Sequence, residues 1–335
     1  MFRSIQFWLG VIISLVLVAL FLRAIHPREI ADAFGEANYW YIIPAIGVLF
    51  VALSLRCLRW SILMRPLAAI PPQRLFSYAI IGYMANNLLP ARAGEVVRAY
   101  VLGEREKVSR LGTLGTIALE RLFDGIALVA LLLVAGSFVG FGDERLRIIA
   151  VASFTLFAVA LSAFFFITHT EERANRFFRW FTRFLPERLE HRAEELVESL
   201  VTSLRSVQSA VTFAQVFGLS IIAWTIEAGA YAIIGLGFDL DVNFGHYCLL
   251  LAAANLAIIV PTFLGGTGPF EWAATLVLVG AGVADGVAGA YSIVAHGAIF
   301  IPTTILGLFF LWGFGISMNR VTHIATAEGE SPVAP

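Results

Sequence analysis

Cysteine and lysine are almost missing from this chain, with two Cys and a single Lys, Lys107, among 335 residues. Cys57 and Cys248 fall at different predicted membrane edges, so no disulfide is expected, and two isolated thiols make no metal site. The one lysine has no glycine before it and builds no phosphate-cradling loop. There is no G-x-S-x-G and no zinc-type cluster of His, Glu or Cys, so no metal or other cofactor is expected. An ATP-driven pump within this chain is disfavoured. Charge is scarce as well: 14% of residues are Asp, Glu, Lys or Arg, where a soluble domain carries about 25%. The net charge of −1 leaves no global field to attract nucleic acid, which is not expected as a partner.

What the chain has is apolar length. It is 59% hydrophobic with a mean hydropathy of +0.83, and its apolar residues come in runs of about 20, the length that crosses a hydrocarbon core. The pattern predicts an all-α, polytopic membrane protein with about 7–8 transmembrane segments. Full spans are expected at 5–25, 41–64, 111–140, 148–168, 213–238 and 288–316. The run at 5–25 is longer than a signal-peptide core and is expected to be retained. Arg56, Arg59, Arg65 and Arg74 follow one another without an acidic residue, a positive-inside signal that places their end in the cytoplasm. Both termini are then cytoplasmic. Residues 1–320 read as one membrane domain. Segment 170–208, rich in Arg, Glu and aromatics, reads as a pair of cytoplasmic amphipathic helices or as a solvated connector. Residues 321–335 read as a disordered tail.

Two segments break this regularity. The first covers about 75–98, where a short apolar piece ends in Asn86-Asn87-Leu88-Leu89-Pro90 and is followed by Arg92, Glu95 and Arg98. Both flanks read as cytoplasmic, so a re-entrant or broken helix is expected. Glu120, Arg121 and Asp124 interrupt the next span. Charges at membrane depth cost at least about 2.5–3.5 kcal/mol each, so these must face protein, water or a polar ligand. Arg92, Glu95 and Arg98 share a helix face at i, i+3, i+6, and the guanidinium groups of Arg92, Arg98 and Arg121 suit a phosphate-bearing head group. The same residues also read as a structural ion network clamping the hairpin to the next span.

The second break covers about 255–283. Pro261 and Gly265-Gly266-Thr267-Gly268-Pro269 interrupt another short apolar pair, with Glu271 in the first turn of the helix that follows. Glycine amides at membrane depth can line a polar cavity, while Glu271 alone reads equally as a helix cap. Glu227 sits mid-span on a face with Ser220, Trp224 and Tyr231, as a proton site or as the partner of an Arg on a neighbouring helix. Asn255, Ser292 and His296 are further polar residues within apolar runs. Paired Pro/Gly-interrupted segments in the two halves of a chain suggest an inverted repeat with a site between them. Asn86, Asn87, Gly265, Gly266, Gly268 and Glu271 join the charged residues as substrate-binding candidates; no catalytic residue is assigned.

At N-N-L-L-P-A-R-A-G-E-V-V-R (86–98), E-R-L-F-D (120–124) and G-G-T-G-P-F-E (265–271) the sequence resembles the lysylphosphatidylglycerol synthase transmembrane-region family, also described as flippase-like or UPF0104 proteins. In multidomain members this region precedes a soluble aminoacyl-transferase domain, and the membrane part is thought to carry the product lipid between leaflets. This chain looks like a stand-alone member. The resemblance implies translocation of an anionic or glycosylated lipid, or lipid-linked precursor, across a bacterial inner membrane. The partner implied is a membrane lipid with a phosphate or sugar head group, and a homodimer is compatible with this reading. The alternatives are an integral-membrane transferase acting on a lipid phosphate, or a non-transporting partner of a lipid-modifying enzyme.

Overall fold

The structure, a computed structural model, describes residues 27–89, 93–168, 209–258 and 264–327. The expected span at 5–25, the segment 170–208, and Pro90, Arg92 and Pro261 lie outside the described residues. Every regular element described is helical. In chain order these are α1 (Pro27–Glu36), α2 (Ile42–Met64, entered through a 3-10 turn), α3 (Pro72–Leu88), α4 (Gly94–Glu106), α5 (Arg110–Val139) and α6 (Glu144–Thr168). After the undescribed segment come α7 (Ala210–Leu236), α8 (Phe244–Ala257), α9 (Pro269–Gly280), α10 (Asp285–Gly313) and α11 (Met318–Ala327). Among the described residues, four helices are long and apolar enough to cross a membrane: α2 with its entry turn, α5, α7 and α10. The chain is a multi-pass helical membrane protein, as its composition predicts.

The two interrupted segments fold as hairpins. Helix α4 runs back along α3: the Tyr78 hydroxyl donates to Glu106 at 2.7 Å, and Asn86 Oδ1 accepts from the Gly94 amide at 2.8 Å. The approach is close enough that a Cβ on Gly94 would lie 2.1 Å from the Gly82 carbonyl oxygen, so glycine is required there. With 17 residues, α3 is about 25 Å long, short of a full crossing. Helices α8 and α9 form the second hairpin. Gly245 near its start faces Val139, and Gly280 at its end faces Gly142, so both ends meet the turn that joins α5 to α6. The first hairpin returns to the other end of α5, where Gly103 meets Val108 and Arg110. The hairpins therefore enter from opposite ends of the bundle.

The pairing of elements repeats in the same way. Helices α2 and α7, the first of each unit, pack against each other. They run antiparallel, since Asn38 meets Gly237, Arg56 meets Glu227 and Arg59 meets Ser220. The first arm of each hairpin packs on the last spanning helix of the other unit, α3 on α10 and α8 on α5, while each second arm packs on its own, α4 on α5 and α9 on α10. Two units, α2–α5 and α7–α10, are thus related by an inverted pseudo-twofold arrangement. Two large apolar clusters hold them, one around Trp224, Tyr231 and α8, the other around Trp60, Met84 and Phe123.

Helix α1 lies between the expected spans at 5–25 and 41–64, and its Ile30 and Ala33 bury against Ala290 of α10. One detail differs from the sequence reading. The expected tail at 321–335 begins as helix α11, whose Val321 is fully buried in the second cluster.

Candidate functional site

The charged residues of α2, α4, α5 and α7 meet at one level of the bundle. Arg98 of α4 makes a bidentate pair with Glu120 of α5, at 3.1 and 3.0 Å, the geometry in which a guanidinium holds a carboxylate best. Its guanidinium also stacks on the Trp60 ring at 3.3 Å from the centroid. Arg59, wholly buried, donates to Asp124 at 2.5 Å and to the Ser220 hydroxyl at 2.7 Å, and lies 3.8 Å from Glu120. The Trp224 indole donates to Asp124 at 3.0 Å. Arg56 pairs with Glu227 and lies over the Trp224 ring at 3.7 Å. Arg121 completes the group, 2.8 Å from Glu120 and 3.6 Å from Asp124.

Burial sorts these arginines. Arg59, Arg98 and Arg56 have side chains no more than 9% exposed, whereas that of Arg121 is 41% exposed. An isolated ion moved from water into protein loses several kcal/mol of solvation, so the buried arginines persist because each has a carboxylate partner. The sequence-predicted set therefore divides. Arg98 and Glu120 tie α4 to α5. Arg121 and Glu95 line the interior cavity. Arg92 lies outside the described residues.

That cavity, of about 150 Å³, lies where the two hairpin tips meet. All the principal elements of both units reach it: Leu53 and Arg56 from α2, Tyr83, Asn86 and Asn87 from α3, Glu95 from α4 and Arg121 from α5. The second unit brings Trp224, Glu227 and Tyr231 from α7, Asn255 from α8, Gly265 and Gly266 from the break, and Phe270, His296 and Thr303 from α9 and α10. The breaks are held by specific bonds. Asn86 orients Glu95 at 3.2 Å as well as the Gly94 amide. Asn87 donates to Thr304 at 2.8 Å and to the Phe300 carbonyl at 3.3 Å, tying the first hairpin to α10. Gly265, Gly266 and Gly268 have φ of +64°, +100° and +100°, the region open to glycine and strained for other residues. Glu271 accepts from the Gly268 amide at 2.7 Å and bonds His296 Nδ1 at 2.6 Å. Gly268 and Glu271 do not line the cavity; they shape the loop and the helix start behind it.

Sequence reasoning missed two participants. Arg56 and Arg59 read as positive-inside markers, yet both are buried in the network. The signal was available: they lie eight and five residues before the end of α2 at Met64, about 12 and 8 Å inside the helix at 1.5 Å per residue. Glu227 pairs with Arg56, an arginine on the neighbouring helix α2. Among the described residues no group of His, Cys, Asp and Glu is arranged to hold a metal ion.

The chain belongs to the lysylphosphatidylglycerol synthase TM region family, which it matches over residues 7–307. It is similar to a UPF0104 membrane protein of Methanothermobacter thermautotrophicus, 26% identical, with 92% of this chain and 96% of that protein aligned. It is also 25% identical to glycosyltransferase AglD of Haloferax volcanii, across 98% of this chain but 57% of that protein. A third relative is UPF0104 membrane protein MJ1078 of Methanocaldococcus jannaschii, 24% identical over 58% of this chain and 78% of its own length. No solved structure matches the chain.

Proposed function

We propose that this protein carries a lipid with an anionic or glycosylated head group between membrane leaflets, the head group passing through the cavity at the hairpin tips while the acyl chains stay in the bilayer. The observation that supports this reading most is Arg121. It is the cavity-lining arginine with a half-exposed side chain, held in place by Glu120 and Asp124 yet open toward the cavity. A guanidinium so placed can take a phosphate in a planar, two-pronged contact. Asn86, Asn87 and Asn255 add amide donors and acceptors around it, and Trp224, Tyr83 and Tyr231 add aromatic surface, a lining suited to a sugar as well. The inverted hairpins also support the reading, because a site on a pseudo-twofold axis can be exposed alternately to either side. Family membership, and a relative named as a glycosyltransferase that contains this whole region, favour a lipid-related role over other cargo.

The basic end of the bundle, with Arg65, Arg74, Arg105, Lys107 and Arg320, then faces the cytoplasm, and the end with Asp143, Glu144, Asp239 and Asp241 faces outward. The proposed membrane is the bacterial inner membrane. The test is transbilayer movement of head-group-labelled phosphatidylglycerol, and of a labelled glycolipid, in vesicles holding the full chain. Movement above that of empty vesicles, lost in Arg121→Ala, is the expected result. Movement unchanged by Arg121→Ala would place the path elsewhere, and a chemically altered lipid would favour a transferase.

A further inference from the structure

The two hairpins are closed by pairs that occupy equivalent places in the inverted units. In the first unit the second arm, α4, supplies Arg98 to Glu120 of α5. In the second unit the second arm, α9, supplies Glu271 to His296 of α10. The first pair keeps its charges at any physiological pH, because a guanidinium does not give up its proton. The second contains the one side chain whose ordinary titration range spans pH 5–8. We infer that the Glu271–His296 pair is the proton-binding site of this protein, and that proton binding there is linked to occupancy of the cavity by an anionic head group.

The geometry carries this step. His296 lines the cavity, so a proton can reach it from the space the head group would fill. Its ring is sandwiched by Phe270, stacked at 4.6 Å, and by Phe300, edge-on at 6.0 Å, and its Nδ1 is fixed by Glu271. The other ionisable groups on the same cavity are Arg56 from α2, Tyr83 from α3, Glu95 from α4, Arg121 from α5, and Glu227 and Tyr231 from α7. Arg56 pairs with Glu227, and Arg121 pairs with Glu120 and Asp124 while its half-exposed side chain stays open to the cavity. With His296 neutral, the pair bears one negative charge; one proton on His296 brings it to zero. An anion entering the cavity meets less repulsion in the protonated state, so by linkage the anion also favours the proton. The linkage rests on the translocation reading; the proton site does not.

The first measurement is therefore independent of any lipid. The full chain, with its other five histidines changed to Gln and its remaining histidine labelled with 15N, is placed in phosphatidylcholine nanodiscs and titrated from pH 5 to 8. The ring nitrogen signals of His296 are expected to shift across that range; signals that stay fixed overturn the proposed proton site. Selective labelling of the wild type, with the signal identified by its loss in His296→Gln, provides the same readout if the five-fold variant fails to fold. The second measurement is movement of labelled phosphatidylglycerol in vesicles at pH 6 and pH 8. Faster movement at pH 6 in the wild type, with that pH dependence lost in His296→Gln, is expected. Movement that ignores pH overturns the linkage. A titrating His296 with no lipid movement at any pH overturns both the linkage and the translocation reading and leaves the proton site standing.

Discussion

In the first half of the molecule the second hairpin arm brings a base, Arg98, to an acid on the spanning helix, Glu120. In the second half the same arm brings an acid, Glu271, to a base, His296. Glu120 also receives Arg121 and approaches Arg59, so one carboxylate serves three guanidinium groups. Glu271 serves one imidazole and its own helix start. The first hairpin is closed by a carboxylate that several guanidinium groups share, and the second by a single carboxylate–imidazole contact. On the proposal made above, the first half serves as the frame and the second as the element free to change.

The largest effect tests this contrast directly. Glu120→Gln leaves Arg98 without its bidentate partner and removes a charge that faces Arg59 and Arg121. Removing one member of a buried ion pair costs about 3–5 kcal/mol. Glu271→Gln keeps an oxygen for the Gly268 amide and a polar group for His296, and costs about 1–3 kcal/mol. Thermal unfolding of both variants in detergent gives the comparison. Equal losses would remove the distinction between frame and movable element.

The pair between the halves, Arg56 and Glu227, comes next. Either Arg56→Met or Glu227→Leu alone strands a buried charge and costs about 3–5 kcal/mol. Combining them removes both charges, and the double variant is expected to regain most of that loss, because an apolar replacement of a buried pair is often neutral or stabilising. Additive losses would mean that each residue has its own partner, and that the contact between α2 and α7 at this level is not what couples the units.

The spans, the two breaks and the charged segment were legible in the sequence because membrane solvent is unforgiving. Length, Pro/Gly interruption and misplaced charge each leave a mark there. Spans predicted at 41–64, 111–140 and 213–238 appear as Ile42–Met64, Arg110–Val139 and Ala210–Leu236. What the sequence left ambiguous was pairing. Arg56 and Arg59 look like interfacial arginines until α7 places Glu227 and Ser220 beside them, from 171 and 161 residues away. Arg98 and Arg121 look alike until burial separates them. No local pattern announces either outcome, because both depend on which helices of opposite units meet. His296 carried no sharper signal than any polar residue within a span, and its partner in the second hairpin is what gives it meaning.

Backbone geometry separates the breaks at a smaller scale. At Gly94 an added methyl group would collide with the Gly82 carbonyl of the facing arm, and neither backbone can yield without separating α3 from α4. Overpacking of that kind costs about 1–3 kcal/mol. At Gly265 the obstacle is φ, +64°, worth about 1–2 kcal/mol for a residue with a Cβ, and the nearest neighbours are the Phe300 ring and the Asn87 side chain, which can shift. Gly94→Ala is expected to lower the melting temperature more than Gly265→Ala. The reverse order would mean that the second break, not the first, is the more tightly determined.

The smallest effect lies outside both units. Arg320 of α11 pairs with Glu104 of α4 at 2.8 Å, but the side chains are 48% and 35% exposed. Exposed pairs contribute about 0–1 kcal/mol and weaken with salt, so Glu104→Ala should leave the melting temperature nearly unchanged, with any loss fading as salt is raised. Val321 of α11 is fully buried in the second apolar cluster, and α11 packs on α4. Val321→Ala is therefore expected to exceed Glu104→Ala by the worth of two buried methyl groups, about 1–2 kcal/mol. If Glu104→Ala proves the costlier change, the charge ladder at this surface, not apolar contact, anchors the last helix to the fixed half of the bundle.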